Sequence, residues 1–587
     1  MTSAAAPRAG YNRFLLLVAG LGGLLYGVDV GIIGGALPYL EATSGLNAGQ
    51  LSIIVAAVLL GSVFSTLFAG ALADWLGRKP LMILSGITFV VSIPVIALSH
   101  GYGPLFFGRL LQGISGGLVG VVVPLYLAEC LVASTRGKGT GVFQWLLTLG
   151  IVAAAVIGIY YSYRVEEVAR AADASALFAF KDQAWRRIFW VSLPPGLLFV
   201  VGAFFVAESP RWLFKRGRKE AAHTALLRSR TPEQADFELR EMQETAAAKS
   251  RGEAIRDSLL RRKYIVPFVL ACIVLFCNTA CGINSIIGYN TNILLQSGLS
   301  DVQSHWGYVL FTVINFLMTI IGLALVDRKG RKFLLVVGTA GIIVSLTITA
   351  ILFLRTEKSN IDVRETVQAQ VNPDQTLSMR FDPGEAARLL GANRQIDPAK
   401  ASFVVVYSYG DFTAESTVAH SNEKGGPVIH VSRESAVPGN KVEAFFKNPF
   451  ADVTAARNAP LKIQKALISP LPETSHGWLV AITLYVFMSF YAIGPGVCVW
   501  LALSELMPTR IRSNGMSIAL VINQMVSTTL AAIFLPIVAN YGYSTIFFVF
   551  AGFTVIYFIT ATFFLPETKG KTLEEIEEYF EGSRAIG

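Results

Sequence analysis

Residues 70–79 read GALADWLGRK, and residues 323–332 read LALVDRKGRK. Asp74, Gly77, Arg78 and Lys79 recur as Asp327, Gly330, Arg331 and Lys332 at the same internal spacing. Each stretch is a short charged link between two long apolar runs. Such a link between membrane-length runs lies at a membrane surface, and its repetition marks the chain as an internal duplication.

Composition agrees. Of 587 residues, 53% are hydrophobic and 15% charged, and mean hydropathy is +0.54. An apolar run long enough to cross the hydrocarbon must be helical, because lipid offers backbone groups no hydrogen bonds. The pattern predicts an all-α polytopic membrane protein with twelve spans in two six-helix halves. They are expected near 12–40, 50–73, 80–99, 104–130, 138–161 and 187–207, then near 264–297, 304–326, 333–354, 477–506, 513–538 and 543–565. The first run carries Asp29 and has no convincing cleavage site, so it reads as a span and not as a signal peptide.

The net charge of +9 is explained by topology without nucleic acid. Links on one side carry Arg8, Arg13, Arg78, Lys79, Arg136, Lys138, Arg328, Lys329, Arg331, Lys332, Arg510 and Arg512. The links at 41–50, 99–104, 297–304 and 539–543 on the other side carry no Lys or Arg. That asymmetry places both termini in the cytoplasm of a cell (inner) membrane. The five cysteines fall in or beside apolar runs, with no disulfide framework or zinc spacing.

The duplication locates two insertions. Asp74 and Asp327 are 253 residues apart (327 − 74), whereas Glu129 and Glu505 are 376 apart (505 − 129). The growth of 123 (376 − 253) falls in the polar stretch 355–476, which lies outside by this topology. Between Glu208 and Glu567 the offset is 359 (567 − 208), which places a smaller insertion in the first half, at 162–184. The expected units are a first half at 1–208, a cytoplasmic helical linker at 209–263, three helices at 264–354, the insert at 355–476, three helices at 477–566 and a tail at 567–587. Runs such as Ser402 to Tyr409 and Val428 to Val431 suggest a β-rich or α+β insert; a stalk or partly disordered loop is the alternative.

Three further stretches, which with the repeated link make four in family order, resemble the sugar porter branch of the major facilitator superfamily. They are PLYLAE followed by Arg136-Gly137, ESPRWL at 208–213, and PETKG at 566–570. The resemblance covers nearly the whole membrane part and leaves out the insert. It implies a transporter, not an enzyme. No phosphate-binding loop of the GxxxxGK[ST] type stands out, so a gradient and not ATP is the expected energy source. No cofactor or metal is expected.

Within that resemblance, Asp29 in the first span and Arg109 in GRLLQGISGG are implied to form a proton-coupling pair, the alternative being a static ion pair. Gln144, Asn284, Asn315, Trp500 and Asn523 match the family's sugar-binding amides and aromatic; a lone amide in a span also serves as glue between helices. Asn278 and Thr279 stand where the family usually has a Gln-Gln pair, Gln524 where many carriers have tryptophan, and Gly288-Tyr289 where a tyrosine pair is usual. These departures bear on which sugar is taken. Asp74, Arg78, Glu129, Arg136, Glu208, Arg211, Asp327, Arg331, Glu505, Arg512 and Glu567 are implied to form an inner gate network. The leading expectation is a monomeric transporter importing a monosaccharide, hexose or pentose, with a proton across the lipid bilayer. A uniporter with the same pocket, and a sugar sensor acting through the insert, are the rivals.

Overall fold

The computed structural model describes residues 9–131, 133–171, 173–251, 261–391, 395–423, 426–439, 444, 448, 451–508, 511–569, 571, 575–576 and 579–580. Within these, the side chains at 9, 133–140, 245–251, 327, 500–505 and 512–514 lie outside the description. Twelve helices among the described residues are long and apolar enough to cross a membrane. The first half contains α1 (Ala9–Thr43), α2 (Ala48–Leu76), α3 (Arg78–Ala97), α4 (Tyr102–Cys130), α5 (Ala133–Ala171), α6 (Ala174–Trp190) and α7 (Leu193–Phe205), the last two forming one span. The short helices α8 (Pro210–Lys215), α9 (Lys219–Leu227) and α10 (Pro232–Arg251) follow. The second half opens with α11 (Arg262–Ala280), α12 (Ile283–Gly288), α13 (Asn290–Gln296), α14 (Asp301–Lys329) and α15 (Arg331–Glu357).

Glycines set how closely the first helices pack. Gly23, Gly27, Gly31 and Gly35 recur every fourth residue and so line one face of α1. A Cβ at Gly27 would lie 1.9 Å from the Leu147 carbonyl oxygen of α5, and one at Gly23 2.4 Å from that of Phe143. Where lipid is as apolar as leucine, this close backbone approach is what holds two helices together. The α2–α4 crossing uses the same device: a Cβ at Gly113 would meet the Val58 carbonyl oxygen at 1.9 Å.

The insert is an α+β unit. Its strands are β1 (Ile361–Asp362), β2 (Leu377–Arg380), β3 (Ala401–Tyr409), β4 (Phe412–Glu415), β5 (Ala419–His420), β6 (Val428–Val431) and β7 (Leu461–Pro470). The helices α16 (Arg364–Gln368), α17 (Pro383–Leu390), α18 (Arg433–Ala436) and α19 (Val453–Asn458) sit between them. One antiparallel sheet runs β1-β7-β3-β4 with β5 also on β3, and β2 pairs with β6. The SFVVVYSY run reads as near-continuous apolar sequence because β3 is covered on both faces. Phe381 and Phe403 stack at 4.9 Å in a core that the insert builds for itself. The bundle then finishes with α20 (Thr474–Ile493), α21 (Pro495–Leu506), α22 (Arg512–Tyr541) and α23 (Tyr543–Ile559). Of the smaller insertion at 162–184, the described residues up to Ala171 extend α5 and those from Ala174 begin α6, and Lys181 reaches Glu423 of the insert at 3.5 Å.

Buried side chains divide the bundle unequally along its length. At the end carrying the repeated charged links, the two halves have separate cores. One is built on Val18, Leu81, Leu127 and Phe199, the other on Leu275, Leu335, Val499 and Tyr557. At the insert end a single core joins both halves, with Leu37, Leu51 and Ile159 beside Ile293, Phe311 and Phe534.

Candidate functional site

At the linked end, Gly77 has φ +106 and Gly330 φ +89, a turn that side chains rarely allow, and each glycine starts a helix. The first helical N–H groups need acceptors. Glu208 accepts from the backbone N–H of Arg78 at 3.0 Å and of Lys79 at 3.2 Å. In the second half Glu567 accepts from the N–H of Arg331 at 3.1 Å and of Lys332 at 3.2 Å. Burial raises the Glu208 carboxyl above its ordinary range, while the backbone N–H groups of Ser209, Lys79 and Arg78 and the Arg78 charge oppose that rise.

Arg78 is the hub of the first network. Its Nε and Nη2 reach the two oxygens of Glu129 at 2.8 Å each, and its Nη1 reaches Asp74 at 3.0 Å. Lys215 of the short α8 adds a contact to Asp74 at 3.2 Å, and Arg216 donates to the Asp74 and Trp75 carbonyls, which fastens the linker to this end. Arg211, expected in the network, is exposed and has no partner among the described residues. The side chains of Arg136, Asp327, Glu505 and Arg512 lie outside the described residues.

Midway along the first half, Asp29 of α1 and Arg109 of α4 face each other. Both are buried, at 1% and 2% exposure, and the carboxylate lies 4.0 Å from Nη1. Neither Asp29 oxygen has a hydrogen-bond partner. The guanidinium is held independently: Nη1 donates to Gln112 at 2.6 Å, and the group sits 5.5 Å from the Phe189 ring centre. Gly116 leaves room for the carboxylate, since a Cβ there would lie 2.9 Å from Asp29 Oδ2. Gln112 was not among the candidate residues, although its place three residues after Arg109 on a helix was a usable signal.

The amides of the second half divide into two groups. Asn284, on α12 past the break at Gly282 (φ +85), donates to Ser527 of α22 at 2.6 Å. Asn278 donates to the Tyr491 hydroxyl at 3.5 Å and keeps an unpaired buried oxygen. Asn315 is 9% exposed on α14. By contrast Asn523 donates to the Leu275 carbonyl at 2.9 Å, and the Thr279 hydroxyl lies 3.3 Å from the Asn523 carbonyl. Those two side chains are spent on the α11–α22 crossing, the helix-to-helix role a lone amide commonly has. Gln144 of α5 is half-buried, and its neighbour Trp145 meets Phe316 of α14 at 5.6 Å across the two halves. The Trp500 side chain lies outside the described residues.

At the insert end the halves are tied by polar contacts. Tyr39 donates to Asp301 at 2.9 Å, Ser162 donates to the same carboxylate, and the Tyr308 hydroxyl donates to the Gly31 carbonyl at 2.8 Å. Tyr289 stacks on Phe534 at 4.4 Å.

The family described as sugar (and other) transporter matches residues 15–368 and 463–580, leaving out most of the insert. The chain is 28% identical over 572 residues to the glucose transporter GlcP of Staphylococcus epidermidis, covering 96% of this chain and 97% of that protein. It is 27% identical over 571 residues to the human proton myo-inositol cotransporter, covering 96% and 80%. The fold is similar to that of the Escherichia coli xylose transporter XylE in its inward-open conformation, with a TM-score of 0.62, 19% identity and coverage of 96% and 98%. The repeated links, the paired caps and these matches agree: the chain is a transporter, not an enzyme, and belongs to the sugar porter family of the major facilitator superfamily.

Proposed function

We propose that this transporter imports a monosaccharide together with a proton, with the charged links and both termini in the cytoplasm and the insert outside. The observation that carries the coupling is the Asp29–Arg109 pair, a buried carboxylate with neither oxygen hydrogen-bonded and a guanidinium 4.0 Å away. The dry surroundings favour the protonated form and the guanidinium favours the charged one. Gln112 and Phe189 hold Arg109 on α4, whereas Asp29 rides on α1. A shift of α1 against α4 therefore changes the balance without dismantling the cation site.

The separate cores at the linked end and the joined core at the insert end suit one of the two states that alternating access requires, the one open to the cytoplasm. Asn278, Asn284, Asn315 and Gln144 supply the donors and acceptors that sugar hydroxyls need. The named glucose and myo-inositol relatives support a neutral polyol as substrate. On this reading the chain acts as a monomer in the bilayer: a half ending at 208, a linker to 263, and a second half interrupted by the insert at 355–476 and followed by a tail from 567.

Proteoliposomes offered D-glucose, D-xylose and myo-inositol in turn provide the test. A transported sugar should raise the pH of a weakly buffered external medium as it enters. Sugar equilibration with no proton movement would establish the uniporter instead, and no uptake of any sugar would favour the sensor.

A further inference from the structure

His305 lies near the start of α14, in the second half, and is wholly buried. Both of its ring nitrogens face backbone carbonyls. Nδ1 is 2.9 Å from the carbonyl oxygen of Asp301 on its own helix, and Nε2 is 3.2 Å from that of Gly35 on α1. A carbonyl oxygen only accepts, and a neutral imidazole has a single N–H. The neutral ring therefore leaves one of the two carbonyls facing a lone pair. The imidazolium donates to both.

The surroundings suit a cation. The Asp301 carboxylate lies 3.5 Å from Nδ1, and a negative charge there offsets the cost of burying a positive one. The Tyr39 ring of α1 stacks on the imidazole, with centres 5.5 Å apart and planes within 9°. On α5, Gly158 makes room for the ring, since a Cβ there would lie 3.3 Å from His305 Cδ2. Among the described residues, Asp301 and Tyr39 are the titratable groups that face the imidazole. Glu41, further along α1, turns instead to Asn292 of α13, and Tyr485 of α20 lies toward Gly307. The Asp301 side chain is 33% exposed, so a proton reaches the buried ring from the water at this end.

We propose that His305 is a second proton-binding site, a clasp that takes up a proton as the two halves close at the insert end and gives it back as they part. Gly35, Tyr39 and Ser162 belong to the first half, His305 and Asp301 to the second, and their contacts all cross between the halves. When the halves separate, the Gly35 carbonyl and the Tyr39 ring leave, and the imidazole keeps only what any wetted histidine has. The proton comes from the outer medium and returns to it, so it is not carried across with the sugar. Acid therefore favours the outward-closed state, and the preference fades as pH rises through the range of about 5 to 8 in which histidine changes charge. The proposal rests on the alternating-access part of the transport reading and not on coupling at Asp29. His476 also lies between two carbonyls, those of Ser297 and Leu352, but both belong to the second half, so its protonation does not join the halves.

The test is a distance measured across the insert end of the full-length protein in lipid, without sugar. Spin labels at Leu98→Cys, after α3, and Ser475→Cys, at the start of α20, occupy exposed positions on the two halves. Of the five native cysteines four are buried, and Cys272→Ala removes the half-buried one. Lowering the pH from about 8 to about 5 should raise the ratio of closed to open distances about tenfold, within the limit of about tenfold per pH unit that one proton sets. The response should persist in Asp29→Asn and be lost in His305→Gln, which keeps a donor but does not titrate. Asp301→Asn, which keeps an acceptor for Tyr39 and removes the charge, should move the midpoint to lower pH, and it decides the matter if His305→Gln fails to reach the membrane. The proposal is overturned if the distance ignores pH, if His305→Gln responds as the wild type does, if Asp29→Asn alone abolishes the response, or if Asp301→Asn leaves the midpoint in place. No sugar enters the measurement, so a failure of the sugar-transport reading in the uptake assay is a separate result.

Discussion

In the first half Glu208 caps the helix that starts at Arg78, and in the second Glu567 caps the helix that starts at Arg331, with each pair of bonds between 3.0 and 3.2 Å. Midway along the bundle the halves share no such likeness. The first half places a buried ion pair there, Asp29 and Arg109, and the second places amides, Asn278, Asn284 and Asn315. The ends of a duplicated bundle answer the same demand in both copies, since a glycine turn and an exposed helix start need an acceptor wherever they occur. The centres face no shared demand. They differ in kind, a buried ion pair in one half and buried amides in the other.

The largest effect is expected at Asp29. Asp29→Asn keeps the shape and removes the titrating group, so accumulation of sugar against its gradient should be abolished while binding and exchange survive. Accumulation by the variant would show that the ion pair is only structural and that the centres differ for another reason. The next largest effect belongs to the amides. Gln144→Ala or Asn284→Ala should weaken sugar binding about tenfold, roughly 1.4 kcal/mol, by removing hydrogen bonds in a buried site. Titration of the purified variants reads this directly, and unchanged affinity in both would take them out of the pocket.

A smaller effect should sharpen the likeness of the ends. Glu208→Gln and Glu567→Gln each keep an acceptor but lose the negative charge at a helix start, a difference of about 0.3–1 kcal/mol. Thermal unfolding in detergent should move by similar amounts for the two variants. A large shift for one alone would mean that the caps are not equivalent. The smallest effect on turnover is expected from replacing residues 358–474 by a short Gly/Ser linker. The insert has its own core and meets the bundle through polar contacts such as Asn47 to the Ser435 carbonyl, Lys181 to Glu423 and Lys465 to the Asn540 carbonyl. Uptake at saturating sugar should be retained. Complete loss of uptake in a correctly inserted protein would make the insert a working part of the bundle.

Hydropathy, link charges and the repeated GRK motif are properties of neighbouring residues, so the twelve spans were legible in the amino-acid sequence, and the repeat spacing put an excess of 123 residues (376 − 253) in the second half. Asp29 was legible for the same reason, as a lone carboxylate in an apolar run. What each amide does was decided only by tertiary structure. Asn284 and Asn523 read alike, yet Asn523 meets a backbone carbonyl at a helix crossing, whereas Asn284 meets the Ser527 side chain beyond a helix break. The joining of the halves at one end and their separation at the other also depend on residues hundreds of positions apart. Glu41 and Asn292 are 251 residues apart in the chain and hydrogen-bonded in the fold, a proximity that no local pattern encodes.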